Sequence, residues 1–194
     1  MPPAYNGPMP LERSLAQSFL LAMPGMEDPQ FAGSAVLICQ HDGDGAMGVV
    51  LNRPTDVLLG ELLDQLGIEG GSREMKGRQV LWGGPVQIER GFVLHDDPRA
   101  WPSTLRFGAF GLTNSREILH AMARGEGPER YAVVIGHAGW GAEQLEGEIA
   151  QNAWLTVPAS EALVFDTGIT SLWQAAAGQI GVDITRLAEY SGRA

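Results

Sequence analysis

The chain has 194 residues, 44% hydrophobic and 19% charged, a composition suited to one globular core and unlike that of a polar, highly charged disordered chain. Its 23 acidic residues against 13 basic ones give a formal net charge of −10; the arginines are scattered and Lys76 is the only lysine, so no basic face is on offer to nucleic-acid phosphates. The longest uncharged stretch, residues 167–182, contains Thr, Ser, Gln and Gly and falls short of the roughly 20 apolar residues that a bilayer span requires.

Residues 1–13 open with MPPAYNGPMP, which has neither the basic nor the apolar region of a signal peptide. They are expected to form a disordered tail ahead of one domain over residues 14–194. Cys39 is the single cysteine, so no intramolecular disulfide can form, and a reducing cytoplasm is the expected location. Residues 18–23 and 34–40 are short apolar runs bounded by Pro, Gly and acids, which predicts buried strands. The segment His41 to Gly45 supplies turn residues, and the apolar course resumes over 46–52 and stops at Pro54, which predicts a β-hairpin.

Asp56 is placed to cap a helix whose Leu58, Leu59, Leu62, Leu63 and Leu66 form one stripe, ended by Gly67. Strands are predicted at 79–82 and 90–95, and a single strand at 104–112. Asn114 and Glu117 approximate a capping box for a helix to Arg124 stopped by Gly125. The β-branched run 131–136 predicts a strand, residues 137–141 a tight loop, and the following segment a helix to Ala153 with Leu145 and Ile149 inward. Short strands are predicted at 154–157 and 163–165, then a helix facing inward through Trp173, Ala177 and Ile180, and a last short helix capped by Asp183. Strands and helices mix without regular alternation, which argues an α+β fold with a mixed sheet.

Gly43-Asp-Gly-Ala-Met-Gly48 spells the glycine pattern of a dinucleotide site, but it leads into a strand, whereas that site needs a helix N-terminus to meet pyrophosphate. Cys39 lies mid-strand with no cation to activate it, and no serine sits in a nucleophile elbow. The four histidines, His41, His95, His120 and His137, lack zinc-ligand spacing. No catalytic residue, cofactor or metal site is therefore expected. His95-Asp96-Asp97 sets a histidine beside carboxylates, although neighbours along a strand point to opposite faces. The candidate binding positions are three turns: Asn52-Arg53-Pro54, Gly83-Gly84-Pro85, and His137 with Gly139, Trp140 and Gly141. Their glycines would let a backbone approach a ligand, and the last would sit where a helix begins. Against this stand the plain readings that Trp140 fills the core and that Arg53 makes an internal ion pair.

The segments LLAMPGMEDPQF (20–31), GAMGVVLNRP (45–54), LGELLDQLGI (59–68), WGGPVQIERGFVLH (82–95), TNSREILHAMARGEGPERY (113–131) and GHAGWGAEQLEGEIAQNAWL (136–155) follow one another in an order that resembles the bacterial YqgE/AlgH family over about residues 14–184. The resemblance implies an α+β single domain with a mixed, partly barrel-like β-sheet flanked by helices. It also brings the label of transcriptional regulator, and no catalytic residues. With the acidic charge, it implies a non-enzymatic cytoplasmic protein that influences transcription through another protein, without direct nucleic-acid or membrane contact; no oligomeric state is specified. The competing expectation is a small-molecule binder or hydrolase that gathers His95, Asp96, His137 and Arg53 in a cleft.

Overall fold

One long strand organises the architecture. In a computed structural model, which describes residues 13–183 and 186–187, β9 (Tyr131–Gly141) crosses the middle of a ten-stranded sheet. Beside it on one flank lie β3 (Gly45–Val50), β2 (Ala35–Asp42), β1 (Ser18–Ala22) and β10 (Trp154–Pro158), and on the other β6 (Val86–His95), β8 (Phe110–Thr113) and β7 (Thr104–Phe107). All these pairings are antiparallel. β5 (Gln79–Trp82) runs parallel to β9 at Val134 and Ile135 and pairs with β4 (Pro54–Leu58). Since β6 occupies one edge of β9, β3 and β5 share the other edge, β3 at residues 138–141 and β5 at 134–135. The sheet forks there. It also curls, so that β7 packs back toward β2, and the mixed, half-barrel α+β fold expected from the sequence is what forms.

The apolar runs read as buried strands because the sheet is covered on both faces. In β1, Phe19 and Leu21 face the concave core while Leu20 and Ala22 face the convex side; in β2, Leu37 and Cys39 divide from Val36 and Ile38 in the same way. The concave core is closed by α5 (Glu161–Phe165), a 3₁₀ turn (Ile169–Ser171) and α6 (Leu172–Gln179), which contribute Leu163, Leu172, Trp173 and Ala177. The Trp173 indole N–H donates to the Ala22 carbonyl at 3.1 Å and pins α6 to β1. On the convex side, α4 (Gln144–Ala150) and the connection 23–34 cover one half, while α1 (Leu59–Gln65), α2 (Arg73–Lys76) and α3 (Arg116–Ala123) cover the other.

Several sequence expectations are corrected. Residues 137–141 are not a tight loop before a helix: β9 continues to Gly141, and α4 starts only at Gln144. The reason is a backbone crossing. Gly136 has φ +73°, and a β-carbon on it would lie 2.3 Å from the Gly84 carbonyl oxygen, while one on Gly84 would lie 2.1 Å from the His137 carbonyl carbon. Glycine here lets two main chains touch within a strand. Asp56 caps nothing; it lies in β4, and Glu61 accepts the Leu58 N–H at 2.8 Å as α1 begins. The single strand 104–112 is a hairpin turning at Gly108, whose φ is +59°. The strand predicted at 163–165 is α5, its Ser160 side chain accepting the Leu163 N–H at 3.2 Å. Ser115, not Asn114, is the α3 N-cap, and the Asn114 amide donates to Gly91 at 2.6 Å. Ile180 is 41% exposed instead of inward. The expected tail lies, Arg13 apart, outside the described residues, as does most of the last short helix. Among the described residues no helix is long and apolar enough to cross a membrane.

Candidate functional site

The three candidate turns meet at the fork of the sheet. Trp82 N–H donates to Arg53 at 2.8 Å, Val50 N–H to Gly83 at 2.8 Å, and Gly83 N–H to Ile135 at 2.7 Å. Gly83 and Gly84 are buried where the chains cross. Asn52 and Arg53 clamp the neighbouring connection: the Asn52 side chain accepts from Ala35 N–H at 2.8 Å and donates to Gly33 at 2.9 Å. The Arg53 guanidinium donates to the carbonyls of Pro29, Gln30 and Ala32, the last at 2.7 Å, and lies 5.3 Å over the Trp82 ring. Its burial lowers its pKa, with Asp28 opposing. The expected ion pair is thus replaced by carbonyl capture.

Trp140 is buried in a box with Phe31, Trp82 and Trp154, its ring 6.0 Å from that of Trp154 and 6.3 Å from that of Phe31. One oxygen of Glu148 accepts both the Trp140 indole N–H at 2.9 Å and that of Trp154 at 2.8 Å. His137 is half-buried and meets Phe92 edge-on at 6.2 Å. Gly139 and Gly141 are exposed, and Gly141 N–H donates to the Gln144 side chain at 3.0 Å.

His95, Asp96, His137 and Arg53 do not form one cleft. His95 pairs across the sheet with Tyr131, six positions along β9 from His137, a separation of about 20 Å at ~3.3 Å per residue. His95 is fully buried, its Nδ1 accepting the Asp97 N–H at 3.2 Å and its Nε2 lying 2.8 Å from the Thr113 hydroxyl. That leaves the proton on Nε2. The chain continues from Thr113 to the Thr104 hydroxyl at 2.6 Å and from there to the Trp101 carbonyl at 2.8 Å. Burial, then Arg106, holds the imidazole pKa below its ordinary value, with Asp97 and Asp96 opposing. A β-carbon on Gly111 would lie 2.7 Å from His95 Cε1, so glycine leaves the ring its space. Asp96 instead bonds Arg130 Nε at 2.7 Å, and Arg130 reaches Glu161 and Asp166 at 3.5 Å. Asp97 is held to about 2, first by the Arg99 guanidinium and also by the Trp101 indole. Cys39 is buried and its thiol pKa is pushed up. No group of His, Cys, Asp or Glu among the described residues is arranged to hold a metal ion.

Sequence reasoning missed two features. β6 starts at Val86, and its register jumps from Val86 opposite His137 to Gly91 opposite Ile135. Residues 87–90 therefore bow out of the sheet, leaving Val86 39% and Ile88 59% exposed. The preceding Pro85 and polar Gln87, which adopts φ +49°, were the available signals. The other is a cleft of about 280 Å³ between the β5–β9 edge and the α5–α6 segment, assembled from too many elements for any local pattern to show.

Known proteins share this fold over most of the chain. The AlgH-like family profile matches residues 19–185. A UPF0301 protein of Xanthomonas campestris pv. campestris strain B100 is 52% identical over 185 residues, covering 95% of this chain and 98% of its own. A UPF0301 protein of Stenotrophomonas maltophilia K279a is 55% identical over 180 residues, covering 92% and 96%. The solution structure of AlgH from Pseudomonas aeruginosa aligns with a TM-score of 0.78 at 40% identity, over 94% of this chain and 96% of that one. A Corynebacterium diphtheriae protein, with a TM-score of 0.70 at 20% identity over 91% and 92%, shares the fold. The forked, curled sheet and the sequence that builds it lead to one family, and the chain belongs to the AlgH-like, or UPF0301, proteins.

Proposed function

We propose that this protein is a non-enzymatic cytoplasmic regulatory protein that influences transcription by binding another protein through the outward bow of β6. The observation that carries this reading is the exposure of Val86 and Ile88 on a projecting segment, next to the half-buried His137 and the exposed Gly139. Apolar side chains on a projecting turn make a natural centre for a protein contact, since they desolvate at little backbone cost. Support also comes from the groups suited to acid–base chemistry: His95, Asp96 and Asp97 are occupied by internal partners. The net charge of −10 favours a partner with basic surface around its contact and disfavours direct nucleic-acid binding.

The test is affinity capture from host cells with wild-type protein, Ile88→Glu and Arg73→Glu, the last on the exposed start of α2. The reading expects a defined protein retained by wild type and Arg73→Glu and lost with Ile88→Glu. Equal retention by Ile88→Glu, or gel retardation of DNA that weakens with salt, overturns it. Trp140 is left intact because it belongs to the core.

A further inference from the structure

We infer that the cleft between the β5–β9 edge and the α5–α6 segment binds a small monocarboxylate with an aliphatic body, its carboxylate on Arg78. This site is on other elements than the bow of β6 and does not rest on the reading above. Its volume of about 280 Å³ equals about nine water volumes at ~30 Å³ each, which suits a carboxylate carrying about five to seven carbons. Its walls are apolar: Leu51, Leu81, Val164, Phe165, Ile169 and Leu172. Among the described residues Arg78 is the only charged one in the lining, and no acid joins it there.

The guanidinium is positioned and under-used. It lies 4.4 Å over the Tyr131 ring and donates one bond, to the Tyr131 carbonyl at 3.2 Å. Its ionic neighbour, Glu74, is 3.9 Å away and 87% exposed, a contact of little energetic consequence. Among the described residues the remaining donors of the planar fork have no partner and can take both oxygens of a carboxylate. The stack on Tyr131 fixes the head in place, so little rotamer freedom is lost when an anion binds. Gln79 and Thr167 complete a polar rim at the same mouth. An apolar body in the cleft with a carboxylate at the rim satisfies both halves of this lining.

The test uses ¹H–¹⁵N NMR titration of the full chain with sodium hexanoate and with hexanamide, at matched ionic strength. Hexanoate is expected to shift the amides of Gln79, Ala132, Phe165 and Ile169 saturably, with Kd on the order of 1 mM for about eight non-hydrogen atoms. Hexanamide, which keeps the body and loses the charge, is expected to bind at least about tenfold more weakly, as is hexanoate to Arg78→Gln. Ile169→Trp, which fills the cleft and leaves Arg78 in place, is expected to abolish saturation. Absence of saturable shifts in the wild type, shifts centred away from these amides, or equal binding of hexanoate and hexanamide overturns the inference; this last comparison needs no variant to fold.

Discussion

Removing the Glu148 carboxylate will reveal how firmly the convex tryptophan box depends on one acceptor. A single oxygen receives the Trp140 and Trp154 indole N–H groups at 2.9 and 2.8 Å, while the other receives the Gln144 amide at 3.0 Å. Both indoles are buried, at 7% and 4% exposure, so neither N–H finds water in exchange. In Glu148→Ala each loses a charge-assisted bond and remains a buried donor, at a cost of about 1–3 kcal/mol apiece. Glu148 is half-buried, and partial relaxation toward solvent brings the expected total to ~2–4 kcal/mol. At about 2–4 °C per kcal/mol for a chain of this size, Tm should fall by roughly 4–16 °C. Glu148→Gln keeps a carbonyl oxygen able to accept both indoles and should cost only about 1 kcal/mol. Urea unfolding followed by tryptophan fluorescence measures both, since the probes are the residues concerned. If Glu148→Ala unfolds within about 0.5 kcal/mol of wild type, or Glu148→Gln matches it in loss, the shared acceptor is not what holds the box.

Three further outcomes follow from the same contacts. Gly136→Ala combines a left-handed φ of +73° with a β-carbon 2.3 Å from the Gly84 oxygen, and should destabilise by about 3 kcal/mol or more in thermal melts; an effect below ~1 kcal/mol would mean that the crossing yields easily. Arg53→Met loses the carbonyls of Pro29, Gln30 and Ala32, so hydrogen exchange over residues 24–33 should accelerate about tenfold while β9 stays protected; unchanged exchange would deny Arg53 its clamping role. His95 has its folded pKa depressed, chiefly by burial, so below its ordinary value of about 6.5 the unfolded chain takes up a proton that the folded one resists. Its contribution to stability is complete above that pH and is lost as pH falls below it. Urea midpoints from pH 7.5 to 5.5 should decline in wild type and flatten in His95→Gln, and an equal slope in both would assign the decline elsewhere.

Part of the fold is legible locally, where a strand is itself a pattern: the unbroken apolar runs of β1 and β2 record a sheet covered on both faces, and Gly43-Asp44 records the hairpin of β2 with β3. What is not legible depends on a distant neighbour. The run from Gly136 to Gly141 has the composition of a loop, and the approach of Gly84, the pairing of Val86 with His137 and the β3 ladder from Gly45 opposite Gly141 to Gly48 opposite Ala138 make it a strand. The three turns picked out as candidate binding positions do come together, yet Gly83, Gly84 and Trp140 are conspicuous because the fork needs two touching backbones and a filled box, and Arg53 because a long connection needs a clamp. Their chemistry is largely used up inside the molecule. The groups with unspent capacity, Ile88 on the bow of β6 and Arg78 above its apolar cleft, lie in segments of ordinary composition, one between polar neighbours and one in a charged turn. Conspicuous residues in this chain thus report the constraints of building a forked sheet, and an account of its function has to begin from side chains whose bonding the fold leaves incomplete.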